Sequence, residues 1–143
     1  MLIAHILREK GGVVHAVDAS ATLEGAAFEL TQKRLGAVVV LDEAGGLAGV
    51  LSERDIVRAV AQRGAAALAE TVASAMTRDV ITATPQETVD ACLSRMTDRR
   101  IRHLPVLEQR RLVGIVSIGD LVARKIEAAQ AEAAAMRAYI ASG

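Results

Sequence analysis

Apolar residues recur along the chain with two periods. Leu23, Ala26, Ala27 and Leu30 stand at i, i+3, i+4 and i+7, the stripe of an amphipathic helix, and Val89, Cys92, Leu93 and Met96 repeat it. A short β-branched run precedes each stripe, Val13 to Val17 in one case and Val80 to Ala83 in the other, and predicts a strand. Beyond each helix come two apolar strands joined by a turn, then a second helix. The order β-α-β-β-α is thus written twice. The first turn, DEAGG, carries glycines suited to positive φ, whereas EQRR in the second has none. Gly64 suits the C-cap of the helix that starts near Glu53.

The halves also match residue by residue. GVLSERDIV begins at Gly49 and GIVSIGDLV at Gly114, 65 positions apart, while Leu41 and Leu107 lie 66 apart, so one residue is lost in the second turn. Boundaries follow at 8–64 for the first repeat, 65–75 for an alanine-rich linker, 76–126 for the second repeat and 127–143 for a C-terminal helical extension. A half of this size buries too little surface to be comfortable alone. The expected fold is therefore mixed α/β (α+β), with two repeats packed about a pseudo-twofold axis that leaves two related clefts. In the extension, Ile126, Ala129, Ala133, Met136 and Ile140 alternate spacings of three and four, a heptad seam about two heptads long. That seam fits either pairing with another helix or packing on the module's own body.

Composition narrows the function. Seventeen basic residues balance seventeen acidic ones, and Phe28 and Tyr139 are the only aromatic residues. The core must then be built from Ala, Val, Leu and Ile, and nucleic acid is disfavoured as a partner for want of both a positive field and stacking platforms. The apolar opening MLIAHIL stops at Arg8, too soon for a signal-peptide core, and no run approaches the ~20 residues of a membrane span. A cytoplasmic protein is expected, with no membrane partner. Cys92 is the lone cysteine and excludes an intrachain disulfide. Phosphate loops, dinucleotide fingerprints and metal-ligand spacings are all missing, and Cys92 lies on an apolar stripe where thiols are inert, so catalysis is not expected.

Serine followed three places on by aspartate is, by itself, a helix capping box, and Ser52 with Asp55 and Ser117 with Asp120 fit that role. Each pair, however, directly follows a strand, where a helix N-terminus favours an anion and an ionised aspartate can accept both hydroxyls of a ribose. The combination suits a nucleoside phosphate, and capping by the serine is compatible with it. The two clefts should differ. Arg54 stands where the second repeat has Gly119, and Arg102 and His103 stand where the first has Gly36 and Ala37. Arg102 and His103 are candidate phosphate donors, of which strand alternation would send at most one into a given cleft. Lys33, Arg34, Arg99 and Arg100 read as cations complementing helix C-termini.

GVLSERD and GIVSIGD resemble the repeat ending of the tandem CBS domain pair, the family named after cystathionine β-synthase, and RRIRHLPV resembles the segment such modules carry before the second hairpin. The likeness runs from about Val13 to Ile126. It implies a non-catalytic regulatory module binding an adenosyl ligand in its clefts: AMP foremost, with ATP, ADP, NAD(H) or S-adenosylmethionine as further candidates. By this resemblance Asp55 and Asp120 hold ribose hydroxyls, Ser52 and Ser117 meet phosphate or ribose, and Thr82 with Ile81, Ala83 and Pro85 lines the base pocket. Pro105, within RRIRHLPV, joins them. The matching first-repeat stretch, His15, Ala16, Val17 and Ala19, lacks both the threonine and the proline. A homodimer is also implied, with a protein target that the sequence does not name. The rival reading is a dimerising adaptor whose clefts hold no ligand.

Overall fold

Each amphipathic stripe becomes a helix whose apolar side closes one of two small cores. The computed structural model describes Met1–Gly143 and contains α1 (Ile3–Lys10), β1 (Ala16–Asp18), α2 (Leu23–Lys33), β2 (Ala37–Leu41), β3 (Leu47–Ser52), α3 (Glu53–Arg63), a 3₁₀ turn (Ala65–Ala69), α4 (Val72–Ala75), α5 (Val89–Arg99), β4 (His103–Glu108), β5 (Arg111–Ser117) and α6 (Ile118–Ser142). Thr22 and Thr88 cap α2 and α5 through their side-chain oxygens, and the helices bury Leu23, Ala26 and Leu30 in one case and Val89, Cys92 and Met96 in the other. In the first half β1 runs parallel to β2 and β2 antiparallel to β3; in the second β4 pairs antiparallel with β5.

The halves exchange their entry segments. Ile3 and Ile6 of α1 are buried with Val89, Met96, Leu104 and Leu121 of the second repeat, whereas Val72 and Met76, from the segment ahead of that repeat, complete the core around Leu23, Val38 and Leu51 of the first. Backbone pairing is equivalent on the two sides. Leu2 bridges Thr88 as Thr71 bridges Thr22, and the Ile3 and Val89 N–H groups donate to Glu87 and Met1 as those of Val72 and Leu23 donate to Ala21 and Glu70. The repeated glycines explain themselves here. A Cβ on Gly49 would stand 2.5 Å from the Thr77 carbonyl oxygen, and one on Gly114 would stand 2.4 Å from Leu7 Cδ2. At each glycine the partner half's entry segment crosses a strand closely, with a backbone carbonyl against Gly49 and a leucine side chain against Gly114.

Three elements depart from the sequence expectation. Beyond Gly11 (φ 85°), β1 forms at Ala16–Asp18 rather than from Val13, which is exposed. The strand expected over Val80 to Ala83 is reduced to one parallel bridge between Ala83 and Val106, because the Val80 N–H turns back to the Arg78 carbonyl and the chain follows a cleft before it can pair. The EQRR turn closes without glycine: Gln109 (φ 51°) and Arg110 (φ 66°) are both left-handed between the paired Glu108 and Arg111, the two-residue geometry that matches strand twist. The C-terminal extension is continuous with the last repeat helix as one 25-residue α6, whose only buried residue is Leu121.

Candidate functional site

Ser52 leaves β3 in extended conformation and caps α3, so the turn that ends the strand places the first residues of the helix at the junction of the two halves. Both partners of the capping box are made: Ser52 Oγ accepts from the Asp55 N–H at 3.3 Å, and Asp55 Oδ2 accepts from the Ser52 N–H at 2.9 Å. Asp55 is 6% exposed, yet its other oxygen, Oδ1, has only a long 3.4 Å contact with Arg58 Nη1. One carboxylate oxygen is thus committed to the backbone and the other is left to accept.

Asp55 opens onto a cavity of about 360 Å³ between the repeats. Of the residues singled out from sequence, Ser52, Arg54, Asp55, Ile81, Arg102, His103 and Pro105 line it together. Val50, Val80 and Ile101 add apolar wall, and Arg58 and Arg100 add cations. Glu53 and Asp79 also face it, so four arginines stand against three carboxylates. Such a lining suits an anionic ligand with an apolar portion. Thr82 and Ala83 lie outside. The Thr82 carbonyl accepts from Arg95 at 3.0 Å, and Ala83 is buried in the core of the second repeat.

Arg102 and His103 both reach this cavity, against the expectation that strand alternation would separate them. β4 begins only at His103, so Arg102 precedes the pleat, and its carbonyl accepts from the Ile118 N–H as that of Gly36 accepts from Glu53. His103 is seated against the other repeat. A Cβ on Gly36 would approach its Nε2 to 3.2 Å, so the small residue in the first half makes room for the imidazole of the second. Burial lowers the His103 pKa below the ordinary histidine value; the Asp120 carboxylate opposes that shift, while Lys10 and Arg102 add to it.

Arg100 was assigned by sequence to the helix dipole alone. It stands at the C-cap of α5 in left-handed conformation (φ 54°), as Arg34 does for α2, a position where glycine is usual. The signal was the repetition of arginine at a place where a helix normally ends on glycine. Only Arg100 lines the cavity; Arg34 faces a shallow groove between α2 and α3.

The second serine–aspartate pair has the same cap and a different neighbour. Asp120 Oδ2 accepts from the Ser117 N–H at 2.8 Å and also meets Lys10 Nζ at 2.7 Å, and Lys10 donates a further bond to the Ile115 carbonyl at 2.9 Å. Burial raises the Asp120 pKa, but the Lys10 hydrogen bond and charge, with the Ser117 N–H, outweigh it and hold the carboxyl below its ordinary range. Ser117 and Asp120 do not line the cavity that holds Asp55. Cys92 is fully buried, and desolvation followed by the Glu87 charge pushes its thiol upward, away from the reactive thiolate. No helix is long and apolar enough to cross a membrane.

Known proteins share this organisation. The family model described as "CBS domain" matches residues 12–62 and again 72–127. The crystal structure of a CBS-domain containing protein from Agrobacterium tumefaciens superposes with a TM-score of 0.85 at 41% identity, covering 87% of this chain and 92% of that one. The CBS domain pair of protein MJ0100, solved in complex with 5-methylthioadenosine and S-adenosyl-L-methionine, superposes with a TM-score of 0.78 at 30% identity, covering 90% and 97%. A mitochondrial CBS domain-containing protein of Arabidopsis thaliana, CBSX3, is 36% identical over 126 residues, 85% of this chain. The chain spans 61% of that relative's length and 65% of that of a 37% identical Acidianus ambivalens protein. With two family matches on a duplicated fold whose halves exchange their entry segments, the chain belongs to the CBS domain family as a tandem pair.

Proposed function

We propose that this CBS pair is a non-catalytic regulatory module that binds an adenine nucleotide in the cavity holding Asp55, with AMP the foremost candidate and ATP, ADP and NAD(H) as alternatives. The observation that carries this reading is the meeting in one hollow of a buried carboxylate with a spare oxygen, an apolar wall and four guanidinium groups. Asp55 Oδ1 takes the ribose hydroxyls. Val80, Ile81, Ile101 and Pro105 receive the base, and Arg54, Arg58, Arg100 and Arg102 neutralise phosphate. The adenosyl compounds bound by the MJ0100 pair support the nucleoside part; the excess of arginine favours an anionic tail. Charge-assisted hydrogen bonds of about 1.5–3 kcal/mol each reach the roughly 8 kcal/mol of micromolar affinity after association costs.

In this reading the module works as a homodimer that reports ligand occupancy to a protein target. A melting panel of AMP, ADP, ATP, NAD, NADH and S-adenosylmethionine tests it. The cognate nucleotide at a hundredfold excess over its dissociation constant stabilises the fold by about 2.7 kcal/mol. Asp55→Asn, which keeps an oxygen for the α3 cap, weakens binding at least tenfold, and incubation with ATP, AMP or NADH shows no turnover. A panel without any shift would leave the dimerising adaptor as the better account.

A further inference from the structure

α6 leaves the body of the protein soon after it starts. Its first turns pack on α5 and β5, Leu121 is buried, and ion pairs from Arg124 to Glu9 and from Lys125 to Asp90 (2.8 Å) fasten the second and third turns. Every residue from Lys125 onward is exposed, so the seam does not pack on the module itself. Along one side lie Val122, Ile126, Ala129, Ala133, Met136 and Ile140, with Ile126, Met136 and Ile140 between 52% and 69% exposed. An apolar stripe of this length held in water marks an interface.

We propose that this stripe pairs in parallel with the same helix of a second copy, forming a short two-stranded coiled coil that holds the dimer. The proposal rests on the homodimer reading above and names the surface responsible. With Ile126, Ala133 and Ile140 at a and Ala129 and Met136 at d, two of the three a positions carry β-branched residues and the d positions none, in keeping with a two-stranded pairing. The flanking charges select both occupant and direction. Glu132 falls at g and Arg137 at the following e, so a parallel copy sets Glu132 against Arg137 of the partner subunit, twice by symmetry, with Lys125 opposite a neutral glutamine. An antiparallel copy overlapping the whole seam sets Glu132 against its own equivalent. Ala129 and Ala133 let the backbones approach closely at the centre.

Light scattering at micromolar concentration tests this on the full chain. The wild type has twice the 15.0 kDa chain mass. Met136→Glu with Ile140→Glu gives the single-chain mass with unchanged melting of the body, because neither residue touches it. Arg137→Glu weakens association at least tenfold, and the exchanged pair Glu132→Arg with Arg137→Glu restores it. Ala133→Cys oxidises to a disulfide dimer, since parallel pairing brings equal positions together. A monomeric wild type would overturn both the homodimer and this interface. A dimer that survives the double glutamate substitution would overturn the interface alone, and failure of the charge exchange or of the Ala133→Cys disulfide would overturn the parallel pairing.

Discussion

Lys10 Nζ lies 2.7 Å from Asp120 Oδ2, so α1 supplies the second repeat's acidic acceptor with an internal cation. The first repeat has the opposite arrangement. Leu7 seats on Gly114 as Met76 seats on Gly49; three residues beyond these stand Lys10 in one half and Asp79 in the other. Asp79 faces the cavity with Asp55 and cannot satisfy it. Besides the uneven placing of arginines, the acidic acceptors of the two repeats thus differ in the charge set beside them, a cation at Asp120 and a carboxylate at Asp55.

Removing the lysine should therefore release the second cleft. Titration calorimetry of the wild type is expected to give one nucleotide per chain, and Lys10→Met two, the additional site being lost again in Lys10→Met with Asp120→Asn. Two sites in the wild type would show that Lys10 does not close the cleft. The same substitution alters acid stability. The folded-state pKa of Asp120 is lowered, so its contribution is full above the ordinary carboxylate value near 4 and is lost as pH falls through the lower folded value. Lys10→Met should flatten that part of a stability-versus-pH curve.

His103 is held neutral by burial, so the unfolded chain binds a proton more readily than the folded one as pH drops below about 6.5. Stability should fall with acidification through that window, and His103→Gln should remove the slope. Ligand binding should move the other way. A phosphate brought beside the imidazole favours its charged form, so His103 protonation should strengthen nucleotide binding as pH falls from about 7.5 to 6, and calorimetry should find that contribution missing in His103→Gln, where protonation of the phosphate itself can only weaken binding.

Arg34 and Arg100 adopt the same left-handed cap, but only Arg100 faces the cavity. Glycine at either position relieves about 1 kcal/mol of backbone strain. Arg34→Gly should stabilise the fold without changing nucleotide affinity. Arg100→Gly should stabilise it by a similar amount and weaken binding several-fold. Urea denaturation alongside calorimetry separates the two effects, and equal affinity in both variants would remove Arg100 from the site.

Gly49 and Gly114 occupy matching positions but meet different atoms. A methyl group at Gly49 meets a backbone carbonyl that is itself paired with β3, whereas one at Gly114 meets the end of a leucine side chain that can swing aside. Gly49→Ala should cost about 1–3 kcal/mol as overpacking does, and Gly114→Ala clearly less. Equal losses in urea denaturation would mean that the two crossings are equally rigid.

What the sequence determined by itself is everything that depends on local period and on repetition: the helical stripes of α2 and α5, the hairpins, the serine caps of α3 and α6, and the duplication that calls for a pseudo-twofold pairing. Those features depend on neighbours within a few residues or on comparing one half with the other. Seven of the residues marked for ligand contact meet in one cavity, because the motif places Asp55 at a strand end and the strand ends of both halves face one junction. Tertiary structure alone decided which entry segment serves which core, and that exchange put Lys10 against Asp120 across a separation of 110 residues and Asp79 beside Asp55. It likewise turned Arg100 inward while leaving Arg34 on a shallow groove. Charge and spacing along the chain are the same for both arginines; only the packing of one half against the other distinguishes them.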